Sequence, residues 1–333
     1  MNYFLGFDIG GTNCSVVLGD DHGVVHQQRT IPTNHTAGPH AVIRQLCETA
    51  DALSNEFQSK HSRSPVALGI SCGGPLDSRS GIVYSPPNLP GWNAVPIVEI
   101  VSSALDLPTA IQNDANACAL AEWRYGAGQG YSNMVFLTFG TGMGAGLILD
   151  GRLYTGTNDM AGEIGHVRME DTGPVGYGKS GSFEGFCSGA GIARLARSQV
   201  QSEWAAGRRV SFCADETQLK VLSTREIGEA AMNGDPTAVE IIETSAEYLG
   251  RGLAIIVDIL NPECIVIGSI FVRLEELLRP RMEAMLRREC LEQASRVCRI
   301  VPAALGDDVG LKAALSVAEK AYAEKAHMEA NGE

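Results

Sequence analysis

Short apolar runs separated by glycine-rich turns open the chain. Residues 3–9 form one run, Gly10-Gly11-Thr12-Asn13 a turn and residues 15–18 a second run, before Asp20-Asp21-His22-Gly23 turns the chain into residues 24–31. This alternation predicts a β-meander. The period then changes. Val42, Leu46, Ala50 and Leu53 recur at helical spacing and predict a helix over 39–60. An apolar strand over 66–70 runs into a glycine-proline loop. The opening device recurs in mid-chain as a strand over 134–139, the loop Gly140-Thr141-Gly142-Met143-Gly144, and a strand over 145–149 that Asp150-Gly151 turns. Two such units predict two structurally similar lobes, each opening with a hairpin. Further on, helices are predicted over 224–233, 236–260, 274–290 and 311–326, with Pro262 stopping the second and a buried strand over 264–267. The polar tail 328–333 is expected to fray. Strands and helices alternate throughout, so the fold class is α/β.

Composition narrows the function. A chain of 333 residues is roughly two domains by size. Hydrophobic residues at 44% and charged residues at 20% support full-sized cores and exclude a disordered or collagen-like chain. Acidic residues outnumber basic ones by 39 to 26, a net charge of −13, which argues against nucleic acid as a partner. Nine cysteines, an odd number without CxxC spacing, suit a reducing compartment. The N-terminus has no basic region ahead of an apolar one, and no apolar run approaches the ~18 residues of a membrane span. A soluble cytoplasmic protein is expected, with no membrane partner.

Three strings match catalytic patterns and fail on context. Gly173 to Ser180 satisfies the phosphate-loop pattern GxxxxGK[ST], but no buried strand precedes it, and no helical pattern begins before about Ser188. Gly69-Ile70-Ser71-Cys72-Gly73 satisfies the nucleophile-elbow pattern, yet Gly74-Pro75 opposes the helix that motif requires. The glycines at 10, 11, 140, 142 and 144 lie between two strands, not between a strand and a helix, so they are no dinucleotide fingerprint. Such hairpins can still wrap phosphates through backbone amides.

Asn113-Asp114-Ala115-Asn116 follows a strand end and precedes an alanine-rich helix to Trp123. Locally an N-cap is the favoured reading. The alternative is a carboxylate at a strand's carboxyl end that takes a hydroxyl proton during phosphoryl transfer. Glu163, His166 and Glu184 lie in a glycine-rich stretch whose polar groups suit paired sugar hydroxyls, and the stretch lacks the cysteines of a zinc site.

Together these segments resemble the ROK family (repressors, open reading frames, kinases) of actin-like sugar kinases over essentially the whole chain. Asp8-Ile9-Gly10-Gly11-Thr12-Asn13 resembles its first phosphate motif and Gly140-Thr141-Gly142-Met143-Gly144 its second. Gly73-Gly74-Pro75-Leu76-Asp77 and Asn88-Leu89-Pro90-Gly91-Trp92 resemble its sugar-domain loop, and Gly162 to His166 with Phe183-Glu184 its sugar-contacting segments. The resemblance implies a two-lobed actin-like ATPase (ribonuclease H-like) fold, each lobe a mixed sheet flanked by helices. It places a smaller lobe at 1–112, completed by a helix at 311–327, and a larger one at 113–310. It implies an ATP-dependent hexose kinase acting at the 6-hydroxyl, with glucose ranked first, an N-acetylhexosamine second and fructose third. The sugar is expected between the lobes on Gly74, Asn88, Asn113, Asp114, Glu163, His166 and Glu184, with Asp114 as the base. ATP phosphates fall to Asp8, Gly10, Gly11, Thr12, Asn13, Gly140, Thr141 and Gly142, adenosine to Gly268, and magnesium to Asp8. A homodimer is expected.

Two departures from the family pattern stand out. Where most members carry CxCGxxGCxE, whose cysteines bind zinc with the histidine, Val175, Tyr177 and Ser182 occupy the cysteine places. No zinc is expected. Ser269 replaces a glycine beside the adenosine, where a side chain would narrow the pocket. The rival reading is a non-catalytic sugar sensor acting through a protein partner. The family's repressors carry a DNA-binding domain ahead of the Asp-Gly-Gly segment, which here starts at residue 8.

Overall fold

The computed structural model describes residues 1–331, and the last two positions of the tail expected to fray lie outside the described residues. The chain divides into two compact units. The first comprises Met1–Gly130, Leu153–Ala161 and the segment from Ala304 onward; the second comprises Tyr131–Arg152 and Gly162–Ala303.

In chain order the first unit opens with strands β1 (Tyr3–Ile9), β2 (Asn13–Asp20) and β3 (Val25–Pro32), then helix α1 (Pro39–His61) and β4 (Ala67–Cys72). A short hairpin, β5 (Leu76–Asp77) with β6 (Ile82–Val83), leads to α2 (Ile97–Leu105), β7 (Thr109–Asn113) and α3 (Asp114–Tyr125). The second unit holds β8 (Met134–Phe139), β9 (Met143–Leu149) and β10 (Arg152–Tyr154), the unit boundary passing through that edge strand. It continues with β11 (Val175–Gly176), β12 (Lys179–Ser180), α4 (Phe183–Phe186), α5 (Gly189–Ala205), α6 (Glu216–Val221), α7 (Thr224–Met232) and α8 (Pro236–Leu260). Last come β13 (Cys264–Ile267), α9 (Ile270–Glu289), α10 (Glu292–Ser295) and β14 (Arg299–Pro302), before α11 (Val309–Asn331) returns to the first unit.

The two units share a topology. The sheets run β3-β2-β1-β4-β7 and β10-β9-β8-β13-β14. In each, the opening hairpin is antiparallel and the two later strands add in parallel. The expected repetition of a hairpin-led lobe is therefore present down to strand order.

In the first unit, alternation along β1 fills both faces of the sheet. Leu5, Phe7 and Ile9 face a core with Ile43, Leu46, Leu53 and Phe57 of α1. On the other face, Phe4 packs with Ala314, Leu315 and Ala318 of α11. Gly6 and Gly69 permit that helix to lie on the sheet, because a Cβ at Gly6 would stand 2.7 Å from Ala314 Cβ and one at Gly69 only 2.1 Å from the Ala314 carbonyl oxygen. Two residues along the same strand face, Asp8 meets Gly310, one turn earlier on the same helix.

Several boundaries differ from the sequence reading. Helix α3 belongs to the first unit, not to a lobe starting at 113, because it packs on α11. Helix α11 continues to Asn331, so residues 328–331 are helical; Lys325 and Glu329 pair at helical spacing there. Helix α9 starts at Ile270, four residues before the expected 274. The one-turn helix α4 precedes Ser188, before which no helix was predicted. Among the described residues no helix is long and apolar enough to cross a membrane.

Candidate active site

Three parallel strands of the first unit end on one row, Ile9 pairing with Cys72 and Cys72 with Asn113. The residues that follow are Gly10, Gly73 and Asp114, so the Gly10–Asn13 loop, the Gly73-Gly74 loop and the start of α3 emerge side by side. Strand carboxyl ends are where α/β sheets gather their chemistry. Asn88 is wedged among them: a Cβ on Gly11 would lie 2.7 Å from its carbonyl oxygen, and one on Gly73 would lie 3.2 Å from its Oδ1. Gly74 lies beside Asn113, whose Cβ is 4.0 Å from where its own Cβ would stand.

The first glycine loop is shaped from behind. Gly10 donates its N–H to Asn13 O at 3.1 Å, closing the turn. Thr33 Oγ1 donates to Gly10 O at 2.7 Å, His35 Nε2 donates to Gly11 O at 2.6 Å, and Thr33 N–H donates to Thr12 O at 2.9 Å. In a trans peptide the N–H points opposite to the carbonyl. Tying three successive carbonyls to residues 33–35 therefore turns the N–H groups of Gly11, Thr12 and Asn13 the other way, as an anion-binding nest requires. Thr33 and His35 were missed in the sequence because nothing local connects them to the loop.

Capping and chemistry are divided between neighbours at the start of α3. Asn113 Oδ1 accepts the Asn116 N–H at 2.8 Å and is the N-cap. Asp114, the next residue, accepts the Ala115 N–H at 2.8 Å through Oδ1. Its side chain touches solvent, yet dense protein around it strips away bulk water, and that desolvation holds its carboxyl above the usual range against the pull of backbone N–H groups. Asp8 is pushed up to about 6, first by burial and then by the charge of Asp114. A desolvated carboxylate whose proton affinity a neighbouring carboxylate raises further suits a divalent cation, and magnesium takes one or two carboxylates with phosphate oxygens and water completing its shell.

In the second unit, β8 ends at the other glycine loop. Thr138 Oγ1 accepts the Gly144 N–H at 2.9 Å, and Gly140 donates to Gly142 O at 3.1 Å. The Gly140 carbonyl accepts the Gly189 N–H at 2.7 Å from the start of α5, whose N-cap is Ser188. The sequence reading put no helical pattern before about Ser188, and neither its cap nor its docking on this loop was read. Gly268 follows β13 and donates to Leu137 O at 3.0 Å, and Ser269 Oγ lies 3.5 Å from where a Cβ on Gly140 would stand. Ser269 adopts φ 56° and ψ −107°, a conformation that favours glycine.

Glu163 precedes and His166 ends a 3-10 turn, Ile164–His166, which lies on the start of β9; Ala145 donates to Gly162 O at 2.9 Å. Glu184 joins them, since Gly165 packs against its Cβ, and its Oε2 accepts the Met143 N–H at 3.1 Å. One carboxylate oxygen of Glu184 thus ties the expected sugar segment to the second phosphate loop.

The places where the resemblance puts zinc ligands do not fit that ion. Val175 has no lone pair, and Ser182 Oγ already accepts the Gly185 N–H at 3.1 Å as the N-cap of α4. Tyr177 is 73% exposed. Among the described residues no three His, Cys, Asp or Glu side chains converge to hold a metal. Two of the three discarded strings are absorbed as structure: Lys179-Ser180 is strand and opens no helix, and Ser71 lies inside β4.

Comparison with known proteins completes the picture. A family model described as "ROK family" matches residues 4–321. The chain is 31% identical over 313 residues to a glucokinase of Halalkalibacterium halodurans, covering 93% of this chain and 92% of that one. Its fold matches a Streptomyces griseus ROK family glucokinase solved with glucose and AMPPNP, with TM-score 0.76, 28% identity and coverage of 96% and 100%. It also matches a ROK family transcriptional regulator, a homologue of the Escherichia coli MLC protein, with TM-score 0.82, 26% identity and coverage of 96% and 78%.

Proposed function

The chain belongs to the ROK family, and on that premise we propose that it is an ATP-dependent hexose kinase that phosphorylates the 6-hydroxyl, glucose first. The observation that carries this reading is the division of labour at α3: Asn113 caps the helix, leaving Asp114 as an uncapping carboxylate with raised proton affinity at the strand ends. Asp114 accepts the proton of the attacking hydroxyl as it bonds to phosphorus. The N–H groups turned outward by Thr33 and His35 receive phosphate oxygens, and the second glycine loop adds those of Thr141 and Gly142, its other amides being engaged within the protein. Asp8 is the residue that would hold magnesium, which when bound offsets the phosphate charge. Asn88 and Asn113 in the first unit, and Glu163, His166 and Glu184 in the second, are assigned to sugar hydroxyls. Once a bound sugar covers them, polar groups of this kind reject an inverted or missing hydroxyl, because they are then left unpaired.

The test is incubation with ATP, magnesium and a panel of hexoses, measuring ADP. Glucose, then an N-acetylhexosamine, then fructose is the expected order. A sugar lacking the 6-hydroxyl should compete without turning over; phosphorylation of 6-deoxyglucose at the rate of the best hexose overturns the regiochemistry. Likeness to the ROK regulator favours a second reading, a sugar sensor acting through a protein partner. Sugar binding without any ADP formation selects it.

A further inference from the structure

Three basic side chains of the second unit end on backbone carbonyls of the segment 166–182. Lys179 Nζ donates to His166 O at 2.7 Å, Arg168 Nη1 to Ser180 O at 2.9 Å, and Arg194 Nη1 to Val175 O at 2.5 Å. Only the lysine reaches the 3-10 turn that presents His166. That carbonyl is the last of the turn, whose own hydrogen bonds end on the Glu163 and Ile164 carbonyls, and a short helical turn leaves its last carbonyls without internal partners. An ammonium there is both donor and favourable charge.

The same hairpin touches His166 a second time. Strands β11 and β12 pair antiparallel and are joined by Tyr177 and Gly178, at φ 42° and 77°. Two positive φ values are what a tight primed hairpin turn needs, and a tyrosine held there is strained. The Tyr177 ring lies edge-on to His166, with centroids 6.2 Å apart and an interplanar angle of 73°. One strand of the hairpin fixes the backbone of His166, and the turn borders its ring.

We propose that Lys179 is a positioning residue for His166, and that the cation-stapled hairpin orients this histidine without a metal ion. The proposal rests on the reading above, in which His166 binds the sugar. It also gives a role to the lysine of the discarded phosphate-loop string: it grips protein backbone, not phosphate. Releasing the His166 carbonyl frees the turn, so sugar binding must order it again. That cost falls on sugar affinity and not on the phosphoryl step.

The experiment compares wild type, Lys179→Met and Lys179→Arg. In Lys179→Met the KM for the best hexose should rise about tenfold, the loss expected for one partly exposed charged hydrogen bond. KM for ATP, kcat and melting temperature should stay near wild type, and Lys179→Arg should recover most of the sugar affinity, since a guanidinium also donates to a carbonyl. Hydrogen exchange adds a readout free of activity: the amides of His166 and Val167, which donate within the turn at 3.1 and 3.0 Å, should exchange faster in Lys179→Met. Chelator should change neither the melting temperature nor the sugar KM of the wild type. Unchanged sugar KM and exchange in Lys179→Met overturn the proposal, as does a chelator effect on either quantity. An equal rise in both KM values with a lowered melting temperature overturns it in favour of a general structural role. A wild type that phosphorylates no hexose fails the kinase reading instead, and the exchange measurement then decides alone whether Lys179 holds the turn.

Discussion

The carboxylate of Glu122 accepts the backbone N–H of Ala304 through both oxygens, at 3.0 and 3.2 Å. Oε1 also accepts from Leu305 at 3.0 Å and Oε2 from Ala127 at 2.8 Å, while the side chain is wholly buried. Ala127 stands three residues before the chain leaves the first unit at Gly130, and Ala304 is where it returns. Among the described residues no cation pairs with this carboxylate, and the surrounding peptide N–H groups make its burial tolerable.

Glu122→Gln should therefore destabilise by about 2–4 kcal/mol, because an amide NH2 replaces one acceptor and faces donors. Hydrogen exchange should show the loss first at the amides of Ala127, Ala304 and Leu305. Unchanged protection there would refute the anchoring role.

Asp8→Asn should stabilise the ligand-free protein at neutral pH. The Asp8 carboxyl is raised to about 6 from an ordinary 3.8, so the folded state holds its proton where the unfolded chain has released it. Stability from this group is highest below about pH 4 and falls as pH rises from there through about 6. Removing the charge should gain on the order of 2 kcal/mol at pH 7 and almost nothing at pH 4. Denaturant titrations at both values check this; an equal gain at both would assign the effect to something other than ionisation. Affinity for magnesium-ATP should fall in the same variant.

Ser269→Gly should relax the strained entry to α9. A non-glycine residue at φ 56° and ψ −107° costs on the order of 1–3 kcal/mol, partly offset by the greater freedom glycine has when unfolded. The expected outcome is a net gain of about 1 kcal/mol together with a lower KM for ATP and an unchanged sugar KM. If the ATP KM does not move, the serine does not narrow the nucleotide site.

Much of the framework was legible because period-2 and helical patterns are local. Residues 3–9 and 236–260 were read to the residue. Helix α9 was placed late because its first turn, from Ile270, is set off by a kink at Leu274 (φ −119°, ψ 22°), the residue where the sequence reading began it. Strand β14 and helix α2 went unread: residues 299–302 are a short run at a sheet edge, and α2 follows a proline-rich loop. At the site, the motif residues stood out by type, but the groups that aim them did not. His35 on Gly11, Gly310 against Asp8 and Lys179 on His166 are contacts between segments, and a sequence prints no distance between segments.

Asp114 separates the kinase reading from a purely structural one. Had it been the N-cap, Asp114→Asn would still cap the helix and nothing would distinguish the two roles, since asparagine and aspartate cap about equally. Because Asn113 caps α3, the substitution leaves the helix start intact. Asparagine keeps a hydrogen-bonding oxygen for the sugar but cannot take its proton. Turnover should fall about 10²–10⁴-fold, the usual worth of a positioned general base, with sugar affinity largely retained. The folded protein should melt no lower than wild type at neutral pH, and the raised carboxyl predicts a slight gain, because a desolvated charge has been removed. In the wild type, protonating this carboxyl should depress kcat/KM on the acid side of its profile, and that limb should vanish from the residual activity of the variant. Near-normal kcat in Asp114→Asn, measured on protein free of wild type, removes Asp114 from the role of base.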